Sequence, residues 1–403
     1  MKVLIADKLS DKTVATLKDL GAEVEVNADL SAEDLPGAIG NSDVLVVRST
    51  RVLPRTIEAG KNLSLIVRAG AGVNTIDLAA ANSRGIYVSN CPGKNTEAVA
   101  ELAIGLLIAA DRQIANSTRD LRSGSWKKKD YGKAKGLKDR VIGIVGFGSI
   151  GKAVARRALS LDMKVVIWSR SMTNELAESL NVECISDLKD LARISDAVSI
   201  HVAYDKNSTH HLIDKTFLES MKNGAILVNT SRGEVVDTTA LKDAIKSKKL
   251  RVGLDVFEHE PAGGDAQFED TELAGLVTAT PHIGASTDQA SEAIADEVVN
   301  IVRSFKEKGV PLNTVNIRAR SSATQSLVVR HYNKVGVLAG ILDKIKASGI
   351  NVEEMTNIIF DNSKAACCTL LLDAAPSIEI IDQMKKDGNI IEVALKPLTN
   401  LEK

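Results

Sequence analysis

The chain has 403 residues, of which 44% are hydrophobic and 26% are charged, with 51 Lys and Arg against 52 Asp and Glu. This composition excludes a disordered or collagen-like chain and predicts roughly two or three globular domains. A net charge of −1 gives no reason to expect nucleic acid or a membrane surface as a partner. The apolar stretches are too short for a membrane span, and the four cysteines lack metal-ligand spacing. These features predict a cytoplasmic protein without a metal.

The N-terminal quarter alternates strand and helix patterns, which predicts a parallel sheet covered by helices. A helix is expected near Lys12 to Leu20. The next helix, expected over Asn95 to Leu121, is apolar on most sides, so we expect it to be buried between domains or subunits. The predicted strands of this region are Lys2 to Asp7, Glu23 to Val26, Asp43 to Ser49, Leu63 to Gly72 and Gly85 to Asn90.

The stretch VIGIVGFGSIGKAVARRAL, Val141 to Leu159, joins a β-branched apolar run to an apolar helical face through three glycines. Gly146 permits a tight turn, Gly148 leaves no Cβ in the way of a ligand, and Gly151 lets the helix pack close to its strand. The first N–H groups of the helix then face an anion, with the helix dipole behind them. The pattern predicts a dinucleotide-binding turn.

Beyond this turn the strand and helix alternation continues to about Thr280, which predicts a doubly wound nucleotide fold. A helix over Gln289 to Lys308 is expected to lead the chain back to the first domain. After a polar linker, Val310 to Gln325, the order changes to strand, helix, strand, strand, helix, strand. That βαββαβ order predicts a ferredoxin-like module.

Polar residues follow three predicted strands of the nucleotide fold. They are Arg232 in VNTSRGEVVD, Asp255 and Glu260 in GLDVFEHEP, and His282 in TPHIGAS. Ligands bind at the carboxyl ends of strands in open α/β sheets, so these side chains are expected to share one crevice. An Arg, a carboxylate and a His above a dinucleotide can hold an α-substituted carboxylate and move its proton while hydride moves to nicotinamide.

From about Val44 to Ser286 the chain resembles the D-2-hydroxyacid dehydrogenase family. The motifs RAGAGVNTIDL, GFGSIG, VNTSRGEVVD, LDVFEHEP and TPHIGAST carry the resemblance, in the family's order. It implies that Arg232 binds the substrate carboxylate, that His282 is the acid/base and that Glu260 orients it. The resemblance also places the cofactor against Gly146, Gly148, Ser149, Ile150, Gly151, Ser169, Arg170, Thr230 and Asp255.

Within the family, the chain resembles members that act on 3-phosphoglycerate. Arg48 and Arg68 resemble the arginines that contact substrate phosphate or carboxylate, and guanidinium groups suit phosphate oxygens. Gly70 would leave a backbone N–H open to the substrate. The alternative is that these two arginines only form ion pairs at the ends of the sheet. His201, His210 and His211 are interpreted as structural, and His259 as solvent-facing.

One departure from the family concerns the cofactor. NAD-using relatives have an acid after the second strand, where this chain has Ser169 and Arg170. Without that carboxylate the 2′-phosphate of NADP is not repelled, and Arg170 can pair with it. The alternative is that Arg170 faces water or stacks on adenine. We predict NAD as the cofactor, with tolerance of NADP.

The tail HYNKVGVLAGILDKIKASGINVEEM resembles an ACT-type regulatory domain, which binds an amino acid at a paired-domain interface. The resemblance implies that L-serine is an effector, with His331, Asn333 and Asn351 as its contacts. Val335 stands where relatives have a proline before Gly336. A unit that only dimerises is the alternative, and the family implies a homodimer or homotetramer.

The expected architecture is a doubly wound nucleotide domain inserted in a flavodoxin-like α/β substrate domain, followed by the ferredoxin-like module. The predicted boundaries are 1–96 with 286–318 for substrate, 97–285 for the dinucleotide and 323–403 for regulation. The predicted reaction is the NAD-dependent oxidation of 3-phospho-D-glycerate to 3-phosphohydroxypyruvate, the first step of serine biosynthesis. A hydroxypyruvate or glyoxylate reductase and a nucleotide-sensing, corepressor-like binding protein are the alternatives.

Overall fold

The computed structural model describes residues 1–170, 177, 182–261, 266–318 and 321–398. The chain divides into two compact units, Met1–Asn316 and Ile317–Lys403. The first unit contains two parallel sheets and the second contains an antiparallel sheet. The predicted α/β fold class with a C-terminal βαββαβ unit is therefore confirmed.

The first sheet is built from short apolar strands that are followed by helices. Its order in the described residues is β2-β1-β3-β4-β5, and all neighbours are parallel. The central strand VLVV is buried at all four positions, as a parallel strand covered on both faces should be. The strands are β1 (Lys2–Ile5), β2 (Glu23–Val26), β3 (Val44–Val47), β4 (Leu65–Arg68) and β5 (Tyr87–Asn90). The helices are Asp11–Asp19, Leu35–Ala38, Pro54–Ala59 and Leu78–Ser83.

The second sheet is also parallel, with the order β12-β11-β10-β9-β6-β7-β8 in the described residues. Its order reverses between β9 and β6, which makes that point the expected ligand crevice. The strands are β6 (Val141–Val145), β7 (Lys164–Trp168), β8 (Glu183–Cys184), β9 (Ala197–Ile200), β10 (Ile226–Asn229), β11 (Arg251–Leu254) and β12 (Thr278–Ala279). The helices are Ser149–Ser160, Leu188–Ile194, Lys215–Ser220, Thr238–Lys248 and Thr271–Leu276.

The helix expected over Asn95 to Leu121 is in fact two helices, Thr96–Arg112 and Ile114–Arg122. Gln113 lies between them in the left-handed conformation, at φ 51°, and ends the first helix. The first helix packs on the second sheet and on Ser149–Ser160, within the core of the first unit. The second helix buries none of its residues. The prediction of one continuous helix was therefore wrong, and burial of Ile114–Arg122 against another subunit stays a prediction. A short helix, Lys128–Tyr131, follows before β6.

The chain returns to the first sheet after the second, as the sequence predicts. The helix Asp288–Lys308 packs its apolar face on a core shared with β1 and β3. Val315 N–H then donates to Val88 O, and Asn316 accepts from Val88 N–H, so residues near 315 pair with the edge strand β5. The two sheets occupy residues 2–90 and 141–279, inside the predicted domain ranges. The exact domain boundaries stay predictions.

The second unit has the sheet order β14-β15-β13-β16, with antiparallel neighbours. Buried residues alternate along β15, which places two helices against one face of the sheet. The strands are β13 (Gln325–Tyr332), β14 (Val352–Ile359), β15 (Ala365–Leu372) and β16 (Ile390–Pro397). The helices are Val337–Ala347 and Ile378–Lys385. No helix in the described parts of either unit is long and apolar enough to cross a membrane.

Candidate active site

Two of the three glycines after β6 are required by nearby backbone atoms, and the third faces open space. A Cβ on Gly146, which has φ 95°, would lie 2.6 Å from the His201 carbonyl oxygen. A Cβ on Gly151 would lie 2.1 Å from the Gly146 carbonyl oxygen, because the helix packs closely on its strand. A Cβ on Gly148 would meet no atom within 4 Å, so that position opens on the space a ligand would fill.

The helix that follows this turn presents its N-terminus to the same crevice. Gly148 is its N-cap and supplies no side-chain hydrogen bond, while Ser149 is exposed and Ile150 is half-buried. The Thr230 hydroxyl, just past β10, is buried without a hydrogen-bond partner among the described residues. Free helical N–H groups and a buried hydroxyl fit the anionic and polar groups of a dinucleotide.

Ser169 and Arg170 follow β7, at the same end of the sheet as the glycine turn. Ser169 is half-buried and Arg170 is exposed. Hydrogen bonds from Ser208 and the nearby charge of Arg170 help to hold the pKa of Asp205 below its ordinary value. Arg170 is therefore near enough to Asp205, in the loop that follows β9, for the two charges to interact.

Glu260 and His282 form a close hydrogen-bonded pair. His282 Nδ1 and Glu260 Oε2 are 2.6 Å apart, and Glu260 Oε1 accepts from Phe257 N–H at 2.9 Å. Burial raises the pKa of Glu260, but the hydrogen bond and charge of His282, with Arg232 nearby, hold it below its ordinary value. The carboxylate thus stays ionised at neutral pH and fixes the orientation of the imidazole.

Asp255 holds the loop that carries His282. Its carboxylate is buried and accepts from Thr280 Oγ1 at 2.6 Å and from the N–H groups of Ile283 and Gly284, each at 2.8 Å. Burial raises the pKa of Asp255 despite these donors. The sequence predicts a cofactor contact here, which stays a prediction. The loop-holding contacts could not be read from the sequence, because only the residue's position at a strand end was visible.

Arg232 follows β10 and reaches toward the first sheet. Its carbonyl oxygen accepts from Asn229 Nδ2 at 2.8 Å, and its Nη1 donates to the Ser231 carbonyl at 2.6 Å. A Cβ on Gly72 would lie 2.3 Å from Arg232 Nη2, so the guanidinium rests on the glycine loop that follows β4. Arg232 also lowers the pKa of Glu260. The structure therefore brings Arg232, Glu260 and His282 together. The sequence analysis expected these three side chains to share one crevice.

Arg48 and Arg68 lie at the ends of β3 and β4, and Arg68 is near enough to Arg48 and Arg232 for their charges to act on it. Burial lowers the pKa of Arg68, and the charges of Arg232 and Arg48 act in the same direction, so that the pKa falls to about 10. The guanidinium of Arg68 lies against Gly70, where φ is 153°. Asp7, which the sequence analysis missed, accepts from the N–H groups of Arg48, Ser49 and Thr50 and so shapes this loop. Its position just after β1, beside β3, was the available signal.

The other histidines of the first unit lie outside the Glu260–His282 pair. His201 Nε2 is 2.8 Å from Ser199 Oγ, and burial lowers the pKa of His201 to about 3. His210 is exposed and stacks on His211, with ring centres 4.0 Å apart. His211 Nε2 is 2.6 Å from Glu258 Oε1. His259 is exposed.

The three proposed effector residues of the second unit do not converge within one copy. His331 is buried, with Nδ1 2.8 Å from the Tyr332 carbonyl and Nε2 3.3 Å from Asn357 Oδ1. Asn333 Nδ2 donates to the Ser363 carbonyl at 3.0 Å, at the same end of the sheet. Asn351 precedes β14 at the opposite end, where Nδ2 donates to Glu353 Oε1 at 3.0 Å.

The strand register gives the distance between these two ends. His331 pairs with Ala366, and Val352 pairs with Leu372, six positions further along β15. At about 3.4 Å per residue, His331 and Asn351 are separated by roughly 20 Å. Within one copy, Asn351 is therefore too far from His331 and Asn333 for the three residues to contact one small ligand.

Comparisons with known proteins identify the family of the chain. Residues 104–284 match the family model described as "D-isomer specific 2-hydroxyacid dehydrogenase, NAD binding domain". The chain is 42% identical to the hydroxypyruvate reductase of Thermotoga maritima over 312 residues, which are 77% of this chain and 99% of that protein. It is 40% identical to the D-3-phosphoglycerate dehydrogenase of Archaeoglobus fulgidus over 324 residues, 79% of this chain and 59% of that protein.

A solved structure gives the same result. The holo form of Rhodotorula graminis D-mandelate dehydrogenase superposes with a TM-score of 0.69 and 30% identity, covering 78% of this chain and 96% of that one. The chain therefore belongs to the D-isomer specific 2-hydroxyacid dehydrogenase family of NAD(P)-dependent enzymes. It spans about three fifths of the length of the curated phosphoglycerate dehydrogenases from Archaeoglobus fulgidus and Methanocaldococcus jannaschii.

Proposed function

We propose that the chain catalyses the NAD-dependent oxidation of 3-phospho-D-glycerate to 3-phosphohydroxypyruvate, the entry step of serine biosynthesis. The observation that carries this proposal is the cluster of Arg48, Arg68 and Arg232 beside the Glu260–His282 pair. A 2-hydroxy acid needs one arginine for its carboxylate. Additional guanidinium groups suit a substrate that also carries a phosphate.

The electrostatics of the arginine cluster support an anionic substrate. Arg68 is largely buried, its pKa is lowered to about 10, and its Nε has no hydrogen-bond partner among the described residues. Like charges that lie close together repel one another, and the repulsion is strongest where water is excluded. A substrate with both a carboxylate and a phosphate would relieve that repulsion and satisfy the unpaired donor.

The proton transfer follows from the Glu260–His282 geometry. Glu260 holds Nδ1 of His282, which leaves Nε2 to take the proton of the substrate hydroxyl. Arg232 would bind the substrate carboxylate and keep the carbon that loses hydride facing the crevice of the glycine turn. Bound nicotinamide supplies the acceptor for that hydride. In the reverse direction, protonated His282 returns the proton to the carbonyl oxygen.

A reductase of hydroxypyruvate or glyoxylate is the second candidate function. It is favoured by the match to the Thermotoga maritima hydroxypyruvate reductase, which extends over 99% of that protein. That match leaves part of this chain uncovered, and the chain continues into a separate βαββαβ unit. The arginine cluster and this additional unit lead us to prefer the phosphorylated substrate.

The cofactor and regulatory proposals rest on particular residues. We propose NAD as the cofactor with tolerance of NADP, because the exposed Arg170 follows β7 at the position where NAD-using relatives have an acid. We also propose a homodimer or homotetramer in which L-serine binds His331 and Asn333 of one copy and Asn351 of another. The opposite placement of these residues along the sheet supports an arrangement of two copies.

One assay of the purified wild-type chain tests these proposals together. Reduced nicotinamide is followed during oxidation of 3-phosphoglycerate and during reduction of hydroxypyruvate and glyoxylate, with NAD or NADP cofactors and with or without L-serine. We expect turnover of 3-phosphoglycerate with NAD, slower turnover with NADP, and inhibition by serine. Turnover of only the unphosphorylated acids would support the reductase, and no turnover of any substrate would support a binding protein.

A further inference from the structure

A second carboxylate–histidine pair lies on the loop that carries Glu260. His211 Nε2 donates to Glu258 Oε1 at 2.6 Å, and Glu258 Oε2 accepts from Thr238 N–H at 3.3 Å. The Glu258 side chain is 16% exposed and that of His211 is 35% exposed. Neither side chain takes part in the proton transfer proposed above, so the pair needs another explanation.

The Glu258 carboxylate is held in its ionised form. Burial raises the pKa of Glu258, but hydrogen bonds from His211 and Thr238 outweigh burial and hold it below its ordinary value. Thr238 begins the helix Thr238–Lys248, so the positive end of that helix dipole also faces the carboxylate. A hydrogen bond to a charged acceptor is roughly twice as strong as a neutral one.

His211 is itself fixed by the backbone around it. It has a left-handed conformation, φ 49°, and its N–H donates to the Glu234 carbonyl at 2.9 Å. Ile213 pairs with Val236 in the same segment, so residues 211–213 run beside the chain that leaves Arg232. The histidine thus joins the 257–260 loop to a segment that is hydrogen-bonded to residues 234–236.

Phe257 in the 257–260 loop contacts both Glu260 and Gly233, the residue after Arg232. Phe257 N–H donates to Glu260 Oε1 at 2.9 Å, while Glu260 Oε2 is 2.6 Å from His282 Nδ1. On its other side, a Cβ on Gly233 would lie 1.9 Å from the Phe257 carbonyl carbon. A movement of this loop would therefore change the position of Glu260 relative to His282.

We propose that His211 and Glu258 are a positioning pair that holds the 257–260 loop so that Glu260 meets Nδ1 of His282. They act through the loop, because neither side chain touches the Glu260–His282 hydrogen bond. This proposal rests on the proposed dehydrogenase function only where it predicts an effect on turnover. Its effect on the geometry of His282 can be measured without any substrate.

The kinetic test compares Glu258→Ala and His211→Asn with Glu258→Gln and with His259→Ala. Asn tolerates the left-handed backbone of His211 but is too short to reach Glu258. We expect kcat for 2-oxo acid reduction to fall by about 10- to 100-fold in the first two variants, as for other residues that orient an active group, with KM changed less than about twofold. Glu258→Gln keeps an acceptor and should recover most of kcat. His259→Ala, an exposed histidine on the same loop, should behave as the wild type.

The pH profile adds a readout that general destabilisation would not move. The pKa of Glu260 is low because His282, Arg232 and Phe257 N–H face it, and a loosened loop weakens these contacts. Its pKa should then rise, so the acid limb of kcat/KM for reduction should move to higher pH in Glu258→Ala. An unchanged profile together with unchanged kcat would overturn the proposal.

A spectroscopic arm separates this proposal from the proposed function. The chain has six histidines, so ¹⁵N-histidine labelling gives a spectrum in which single substitutions assign each imidazole. In the wild type and in His259→Ala we expect a strongly hydrogen-bonded Nδ1 proton on His282, and in Glu258→Ala and His211→Asn we expect that signal to weaken. If the variants lower the melting temperature but leave the His282 signal unchanged, the pair is only structural and the proposal is wrong. This outcome is readable even if the wild type turns over none of the three acids.

Discussion

The imidazole of His282 is held on a backbone that most residues avoid. Its φ of 52° lies in the left-handed region, where a non-glycine residue costs on the order of 1–3 kcal/mol. His282 N–H donates to the Asp255 carbonyl at 2.8 Å, and the Asp255 carboxylate binds the next two N–H groups. These contacts offset the strain and direct Nδ1 toward Glu260.

The position of Arg232 depends on the absence of a side chain at Gly72. In Gly72→Ala the new Cβ would lie 2.3 Å from Arg232 Nη2, which is the far end of a flexible side chain. The fold should therefore tolerate the change while the guanidinium moves. We expect kcat/KM for 2-oxo acid reduction to fall by about 10- to 100-fold, because a displacement near 1 Å has that effect on a positioned group.

Gly37→Ala is the matched control for this substitution. Its Cβ would meet no atom within 4 Å, and its φ is not positive. It should keep wild-type kcat/KM, and both variants should keep the wild-type melting temperature within about 2 °C, since neither buries a new contact against backbone. Wild-type kcat/KM in Gly72→Ala would show that Arg232 is not held at this loop.

At the scale of the elements, the strand, glycine turn and helix from Val141 to Ser160 contain glycines in two different surroundings. Gly151 faces the Gly146 carbonyl, which is rigid backbone, whereas Gly148 faces open space. The sequence predicted the turn and its purpose because both depend on nearby residues. The structure adds that the fold requires Gly151 and that Gly148 faces open space, and the ligand role of Gly148 stays a prediction.

The pair of variants Gly151→Ala and Gly148→Ala tests that separation. In Gly151→Ala a Cβ would lie 2.1 Å from the Gly146 carbonyl oxygen, so the free energy of unfolding should fall by about 1–3 kcal/mol. Gly148→Ala should unfold as the wild type does, yet bind NAD about tenfold more weakly or worse, a loss near 1.4 kcal/mol. Denaturant unfolding and calorimetry measure the two effects. Equal losses of stability in both variants would contradict this division of roles.

The helices were predicted less well where an apolar pattern continued past the residue at which a helix ends. The apolar pattern from residue 95 onward indicates one helix, but Gln113 adopts φ 51° and the next helix buries none of its residues. Glutamine is an ordinary helix former, so composition gave no sign of this ending. By contrast, the βαββαβ order of the tail was predicted correctly, because alternating burial along strands such as β15 is a local signal.

At the scale of the whole molecule, the candidate site is assembled by contacts between distant parts of the first unit. Asp7 binds the N–H groups of residues 48–50, more than 40 positions away, and His211 binds Glu258 across 47 positions. A single sequence contains no periodicity that reports such pairs. Strand ends could be predicted as the location of the site, but these supporting contacts could not.

The same long-range assembly brings arginines of both sheets together. Arg48 and Arg68 come from the first sheet and Arg232 from the second, and their charges act on one another. Neither sheet alone contributes all three guanidinium groups. The central claim is therefore that this cluster selects a phosphorylated substrate.

The most direct test is the ratio of kcat/KM for 3-phosphohydroxypyruvate to that for hydroxypyruvate, two acids that differ only by the phosphate. It is measured in the wild type, in Arg48→Met and in Arg51→Met, which removes an exposed arginine from the same loop. We predict a ratio well above one in the wild type and in Arg51→Met. In Arg48→Met we predict a fall of about 30-fold or more, as for loss of one partner of a charged contact. A wild-type ratio near one, or an equal loss for both acids in Arg48→Met, would contradict the claim.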